Sequence, residues 1–361
     1  MEHKKIVQKK CSTLSIANCQ FLVTYSLILF GLLLFSCDKV LLDEELPDNP
    51  VANFESLWKE FDDKYGLFAV KQIDWDSVYA VYRPQIDQAH SSTELYNVLK
   101  EMLARLNDSH VALLPTKGSG LPFYQSGALG KLDSMADFSL DVVKANYLHD
   151  SKFADPFFMY GLLDNNIGYI HIEGFSDLPK FLEDPMNEVL SALENTDGLI
   201  IDVRGGYGGE DLAGQYIAGR FARERKVYMK TRVKSGPGEN DFTSFQTWEI
   251  EPEGGFQYQK PIVVLTHRFT ISARETFCLA MKTLPQMTFI GDTTAGAFSN
   301  QINRELPNGW GYSLSIGEWI DAENISHEGI GLVPDILVKN QKSDLLNGQD
   351  EALETAIQAL Q

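Results

Sequence analysis

The chain has 361 residues, is 44% hydrophobic, and carries 31 Lys and Arg against 50 Asp and Glu, a formal net charge of −19. That length and apolar content can bury a sizeable core, so disorder is not the default and one to three domains are expected. The negative field argues against nucleic acid and anionic membrane surfaces as partners.

At the N-terminus, Lys4, Lys5, Lys9 and Lys10 precede an apolar run from Phe21 to Phe35 that ends in Leu34-Phe35-Ser36-Cys37. A run of about 15 apolar residues falls short of the roughly 20 that a helix needs to cross a bilayer, and the order of charge, apolar stretch and small residue marks an export signal. Its ending resembles a bacterial lipoprotein cleavage box. That resemblance implies lipidation of Cys37, a membrane attachment through the lipid, and a place in the cell envelope, periplasmic or on the outer-membrane surface. An uncleaved anchor helix is the alternative. Loss of residues 1–36 removes four Lys and one Glu and takes the formal charge to −22. With Cys11 and Cys19 in the signal and Cys37 modified, Cys278 is the remaining thiol, so neither an intrachain disulfide nor a Cys pair for a metal is expected.

Residues 37–52 are acidic and proline-flanked, which suits a flexible tether. Three stripes at helical spacing follow: Phe54, Leu57, Trp58, Phe61 and Tyr65; then Trp75, Val78, Tyr79 and Tyr82; then Leu95, Val98, Leu99, Met102, Leu103 and Leu106. Ser91 with Glu94 forms a capping box for the third. They predict a small helical domain over 53–115. Residues 116–160 contain no assignable periodicity and read as an irregular connection, too short for a whole peptide-binding insert domain.

The second half alternates. Strands are predicted at 167–172, 198–203 and 262–265, and helices at 183–193, at 212–221 and after Ser272, which implies a sheet with right-handed crossovers. A polar, hairpin-like region at 301–319 and a helix from Asp350 complete the chain.

Ser272 stands at the junction between a buried strand and a helix, where N–H groups at a helix N-terminus can hold an oxyanion. Ser272-Ala273-Arg274-Glu275 also fits a capping box, which gives the serine a purely structural reading. The glycine loop Gly205-Gly206-Tyr207-Gly208-Gly209 lacks the Gly-Lys-Ser/Thr ending of a phosphate loop, and Glu210 and Asp211 would repel a phosphate. Its glycines permit a tight turn or close approach of a peptide backbone. A serine nucleophile needs a base, and spacing does not choose among the histidines: His171 lies in a strand, His90 and His149 in polar stretches, His267 ends the strand feeding Ser272, and His327 sits beside Glu328.

Five segments in register carry a family resemblance: Gly168-Tyr169-Ile170; Asp202-x-Arg204 with Gly208-Gly209; Ser272-Ala273-x-Glu275; Gly291-Asp292-x-Thr294; and Glu328-Gly329-x-Gly331 with Pro334-Asp335. In order and spacing they resemble the C-terminal processing peptidases. The bacterial tail-specific members pair the serine with a lysine at the position that is Ala297 here, so a Ser/Lys dyad is not available. The chain is more similar to the tricorn core branch, which implies Ser272 as nucleophile, His110 as general base and acid, Ser109 as its supporting link, Glu328 orienting the far side, and an oxyanion hole from Ala273 with Gly208 or Gly209. An imidazole with an ordinary pKa near about 6.5 suits that work at neutral pH.

The resemblance implies an α/β core of the crotonase-like βαβ spiral type over 161–361, behind the helical domain and with no evident PDZ module. It further implies a serine peptidase acting on peptides or protein C-terminal tails without metal or organic cofactor. Retinoid-binding repeats resemble the same core, so a non-catalytic surface lipoprotein that binds apolar ligands or peptides is the alternative.

Overall fold

The computed structural model describes residues 47–130, 137–175, 179–206 and 208–361. The predicted signal, the lipidation site Cys37 and most of the tether lie outside the described residues. Asn49–Gln361 forms one compact unit.

Three of its first four helices start with a side-chain cap. Asn49 accepts the Ala52 N–H (2.9 Å) ahead of α1 (Pro50–Lys64), whose Pro50 occupies a position where no N–H is needed. A short α2 (Phe68–Lys71) ends at Gln72 in the left-handed region. Asp74 caps α3 (Trp75–Ile86), and Ser91 caps α4 (Ser92–Ala104) while Glu94 reaches back to the His90 N–H. The three predicted stripes are the buried faces of α1, α3 and α4. They share their apolar core with Leu306, Trp310, Tyr312 and Leu314, residues some two hundred positions later.

Next come β1 (Ala112–Leu114), β2 (Tyr124–Gln125), α5 (Leu140–Asn146), β3 (Ser151–Asp155), β4 (Phe158–Leu163), β5 (Ile167–Ile172), α6 (Pro179–Leu193), β6 (Gly198–Asp202), α7 (Asp211–Gly219), β7 (Lys226–Val233), β8 (Gln246–Ile250), β9 (Ile262–Thr266), α8 (Ala273–Lys282), β10 (Met287–Gly291), β11 (Gln301–Glu305), β12 (Gly311–Ser315), β13 (Gly317–Asp321), β14 (Ile336–Leu337), α9 (Lys342–Leu346) and α10 (Glu351–Ala359). The main sheet runs β14-β10-β9-β6-β5-β4-β3, parallel from β14 to β5 and antiparallel at β4 and β3. Strands β5, β6 and β9 are buried along their whole length. Leu199 and Ile201 pack with Val189, Ile217 and Phe277 of α6, α7 and α8, whereas Ile200 turns to the opposite face with Leu353 and Ala356 of α10. Apolar residues on both faces of a strand require helices on both sides, and the chain supplies them. This is the mixed α/β architecture with a preceding helical region that the resemblance implied.

The stretch read as irregular is more ordered than expected. Its second half forms α5 and β3, and β3 pairs with β4 to extend the sheet. Strand β3 is an edge strand with mixed exposure, so no apolar alternation announced it. The charged strands β7 and β8 also escaped the reading; with β13 they make a separate three-stranded sheet. The hairpin-like region holds β11 and β12, which with β1 and β2 make a four-stranded antiparallel sheet, and β12 completes the helical core.

Candidate active site

Strand β9 ends at Thr266, and six residues later the chain enters α8. The turn is pinned from inside: Thr270 Oγ1 donates to Val203 O (3.1 Å) and accepts from His267 N (3.1 Å). Ser272 emerges at φ 57°, ψ −125°, a conformation costly for a residue with a side chain, which local contacts must hold. One such contact is Glu275, whose carboxylate accepts the Ser272 N–H at 3.1 Å. The same buried carboxylate accepts from Thr294 Oγ1 (2.6 Å), Gly296 N (2.7 Å) and Ala297 N (2.8 Å), so it ties the Gly-Asp-x-Thr segment to the serine turn. Burial pushes its pKa up to about 7 against the pull of these four donors. Helix cap and a hydroxyl turned toward His110 are therefore compatible at half-buried Ser272.

His110 arrives from the segment after α4, 162 positions earlier in the chain. After α4 the chain turns through Asn107 at positive φ, and Asp108 Oδ1 accepts the His110 N–H (2.8 Å). Ser313 on β12 donates to His110 O at 2.7 Å, so the strand that fills the helical core also seats the histidine. The result is His110 Nε2 at 3.2 Å from Ser272 Oγ. The imidazole is buried, 7% exposed, and burial lowers its pKa, with the Lys71 charge acting in the same sense and Asp108 opposing.

The remaining expected partners fall differently. Ser109 does not link to the imidazole: its Oγ accepts the N–H groups of Ala128 (2.9 Å) and Leu129 (3.4 Å), a task that fixes the loop after β2. Glu328 is buried and engaged with Lys71 Nζ (2.8 Å) and Phe298 N (2.6 Å). Burial pushes its pKa up to about 8, the Asp108 charge adds to this and Lys71 opposes it. Three groups that sequence reasoning missed complete this centre: Asp108, Tyr65, whose hydroxyl donates to Asp108 Oδ2 (2.8 Å), and Lys71. Asp108 and Lys71 belong to no motif, and Tyr65 was legible only as the end of an apolar stripe.

Of the two glycines offered for the oxyanion, Gly208 lies against the serine. A Cβ added there would stand 2.6 Å from Ser272 Cβ and 3.1 Å from Ala273 N. Gly209 instead packs on the backbone of Phe175, to which it is bridged. Among the described residues the N–H groups of Ala273 and Gly208 are not taken by other backbone acceptors. His267, the competing base, is buried with Gly205 N 3.3 Å from Nε2 and Phe269 N 3.2 Å from Nδ1, and burial pushes its pKa down to about 4. His171 and His327 pair with Glu173 (2.9 Å) and Asp321 (2.8 Å). A cavity of about 170 Å³ adjoins the centre, lined by Ser109, Arg268, Gly296 and Gly329 among others, and a larger cavity, about 740 Å³, lies against α2 and residues 232–242. Among the described residues no cluster of His, Cys, Asp and Glu could hold a metal ion.

The profile of peptidase family S41 matches residues 166–338, and that of the tricorn protease C1 domain matches residues 48–104. A protein from Parabacteroides merdae, solved as a candidate peptidase, is 32% identical, with a TM-score of 0.77 over 87% of this chain and 97% of its own. The chain belongs to peptidase family S41. Carboxy-terminal processing protease CtpA of Bacillus subtilis is 30% identical over 171 residues, 46% of this chain and 34% of the relative. This S41 chain thus spans about a third of the length of the curated relatives it matches. Mature CPAF, solved in complex with lactacystin, shares the fold at 14% identity, with a TM-score of 0.66 over 86% of this chain and 97% of that one.

In the S41 chain the approach of Gly208 to Ser272 is testable. If the Gly208 N–H serves an oxyanion formed at Ser272, Gly208→Ala should lower the rate of Ser272 acylation by about a hundredfold or more, the usual cost of obstructing such a donor, and the added Cβ pressing on the serine turn should also lower the melting temperature. Acylation at a rate within a few-fold of the parent would move the oxyanion position elsewhere.

Proposed function

We propose that the chain is a serine peptidase that cleaves peptides or protein C-terminal tails through an acyl-enzyme on Ser272, with His110 as general base. The observation that carries this reading is the 3.2 Å approach of His110 Nε2 to Ser272 Oγ, made across 162 positions of sequence. His110 takes the hydroxyl proton as Oγ attacks the scissile carbonyl. The carbonyl oxygen becomes an anion facing the N–H groups of Ala273 and Gly208, and the imidazolium then protonates the leaving amine. Water, deprotonated by the same imidazole, releases the acyl group and restores the serine.

Burial favours this chemistry because a histidine with a lowered pKa is unprotonated at neutral pH and ready to accept. The nearby cavity, lined in part by Asn107, Ser109 and Arg268, also suits a peptide better than a wholly apolar ligand. A fluorophosphonate probe tests the assignment. Labelling of the parent chain that disappears in Ser272→Ala is the expected result; a Ser272→Ala chain labelled as well as the parent would exclude Ser272 as the nucleophile.

A further inference from the structure

Lys71 stands on a four-residue helix with no motif around it, yet only 9% of its side chain is exposed. Its Nζ lies 2.8 Å from Glu328 Oε1, a side chain 1% exposed, and donates to Asn107 O at 3.2 Å. The helix that carries it is fixed at both ends. Phe68 packs on Tyr65 (centroids 4.7 Å) and Trp75 (5.4 Å), and Gln72 closes the turn in the left-handed region. Burying an ammonium on a long flexible side chain is unfavourable by several kcal/mol unless it is paired, so this placement answers a local demand. The demand is two buried acids: Asp108 and Glu328 lie within electrostatic reach of each other, and Asp108 also holds the His110 N–H.

We infer that Lys71 is a positioning residue of the catalytic centre, seating the Glu328 carboxylate and balancing the two buried acids so that His110 is held as a working base. The inference rests on the reading of Ser272 as nucleophile and His110 as base. Without Lys71, Glu328 would keep, among the described residues, the Phe298 N–H, and its carboxyl would rise further, since Lys71 opposes that rise. His110 would rise as well, because Lys71 contributes to its lowering. The two shifts have the same sign. Whichever group governs the acid limb of activity, loss of Lys71 moves that limb to higher pH. The other charged or titratable groups facing this centre are the Tyr65 hydroxyl from the end of α1, Asp108 from the loop after α4, and Arg268 from the turn after β9, which Asp137 holds at 2.8 Å. None of these changes when Lys71 is replaced.

The rate of fluorophosphonate acylation, followed from about pH 5 to about pH 9, provides the test. Lys71→Met should be about ten- to a hundredfold slower near neutrality, with its acid limb about one pH unit higher. Lys71→Arg, which keeps the charge, should recover most of the rate. Above the limb, Lys71→Met/Glu328→Gln should be no slower than the slower of the two single variants, because both act on one unit. Losses that multiply, an Arg variant as slow as the Met variant, or an unchanged rate and limb in Lys71→Met would each overturn the inference while leaving the peptidase reading in place. If Lys71→Met does not fold, the neutral double variant decides by comparison with Glu328→Gln: equal rates support the inference and a further fall overturns it. A parent chain that is not labelled at Ser272 overturns the peptidase reading and the inference together.

Discussion

On the proposed mechanism, His110→Ala should lower Ser272 acylation by roughly 10⁴- to 10⁶-fold, the scale set by removing the base from a serine nucleophile, while the protein stays folded. The 3.2 Å contact to Ser272 Oγ uses the imidazole alone, and the backbone of residue 110 keeps its bonds to Asp108 and Ser313 in the variant. His267→Ala separates base from scaffold. It removes an imidazole packed on Phe138 and Phe269 and should reduce stability while leaving acylation within about tenfold of the parent. Equal kinetic losses in the two variants would remove His110 from its role.

The pH dependence of the same reaction follows from the burial of His110. The folded-state pKa lies below the ordinary 6.5, so the neutral imidazole dominates at pH 7, and on the proposed mechanism protonation of His110 in acid should lower activity. The linkage has the same sense: below pH 6.5 the unfolded histidine binds a proton that the folded one resists, so this contribution to stability is lost as pH falls toward the folded pKa. Asp108 raises the pKa of both His110 and Glu328. Asp108→Asn should therefore move the acid limb downward, opposite to the shift expected for Lys71→Met.

Arg204→Met should destabilise the fold by about 3–5 kcal/mol, the usual cost of leaving buried charges without their partner. Arg204 is almost wholly buried and bonds both oxygens of Asp202 (Nε–Oδ1 2.9 Å, Nη2–Oδ2 2.7 Å) and Asp350 Oδ1 (2.8 Å), with the Phe138 ring 4.7 Å from its guanidinium carbon. Tyr169 OH donates to Asp202 Oδ2 at 2.7 Å, and Asp350 is the N-cap of α10. One guanidinium thus fastens the C-terminal helix to the end of β6, next to the glycine loop. Chemical denaturation would read the loss as a lower midpoint at unchanged slope. Burial alone would raise the Asp202 pKa, but the Arg204 charge and its hydrogen bonds outweigh it and the net shift is downward. The stability this supplies is present above about pH 3.8, the ordinary Asp value, and is lost as pH falls through the folded pKa, so parent and variant should converge in acid. A variant as stable as the parent at neutral pH would show that the network contributes nothing.

Much of this was legible because the residues carry strong local signals. The stripes of α1, α3 and α4 have clean helical spacing, and β5, β6 and β9 are apolar on both faces. Ser272 and Glu275 could be read from a strand-to-helix junction. His110 could not be chosen by spacing, because its only relation to Ser272 is through the fold; resemblance pointed to it. That resemblance also offered Ser109 as a link, which the structure replaces with backbone contacts to Ala128 and Leu129. Lys71 and Asp108 were illegible for a physical reason. An isolated charged residue at a helix end or turn is ordinarily solvated, and nothing local to either reveals that it will be buried against a carboxylate or a histidine from another segment.

The seat of His110 on β12 has a consequence for how the protein comes into being. Ser313 and the apolar residues Trp310, Tyr312 and Leu314 are synthesised after the serine turn is complete. A nascent chain that already displays Ser272 still lacks the strand against which its histidine is placed. On the reading of Ser272 as nucleophile and His110 as base, a product truncated before residue 310 would carry the serine without the strand that seats its histidine.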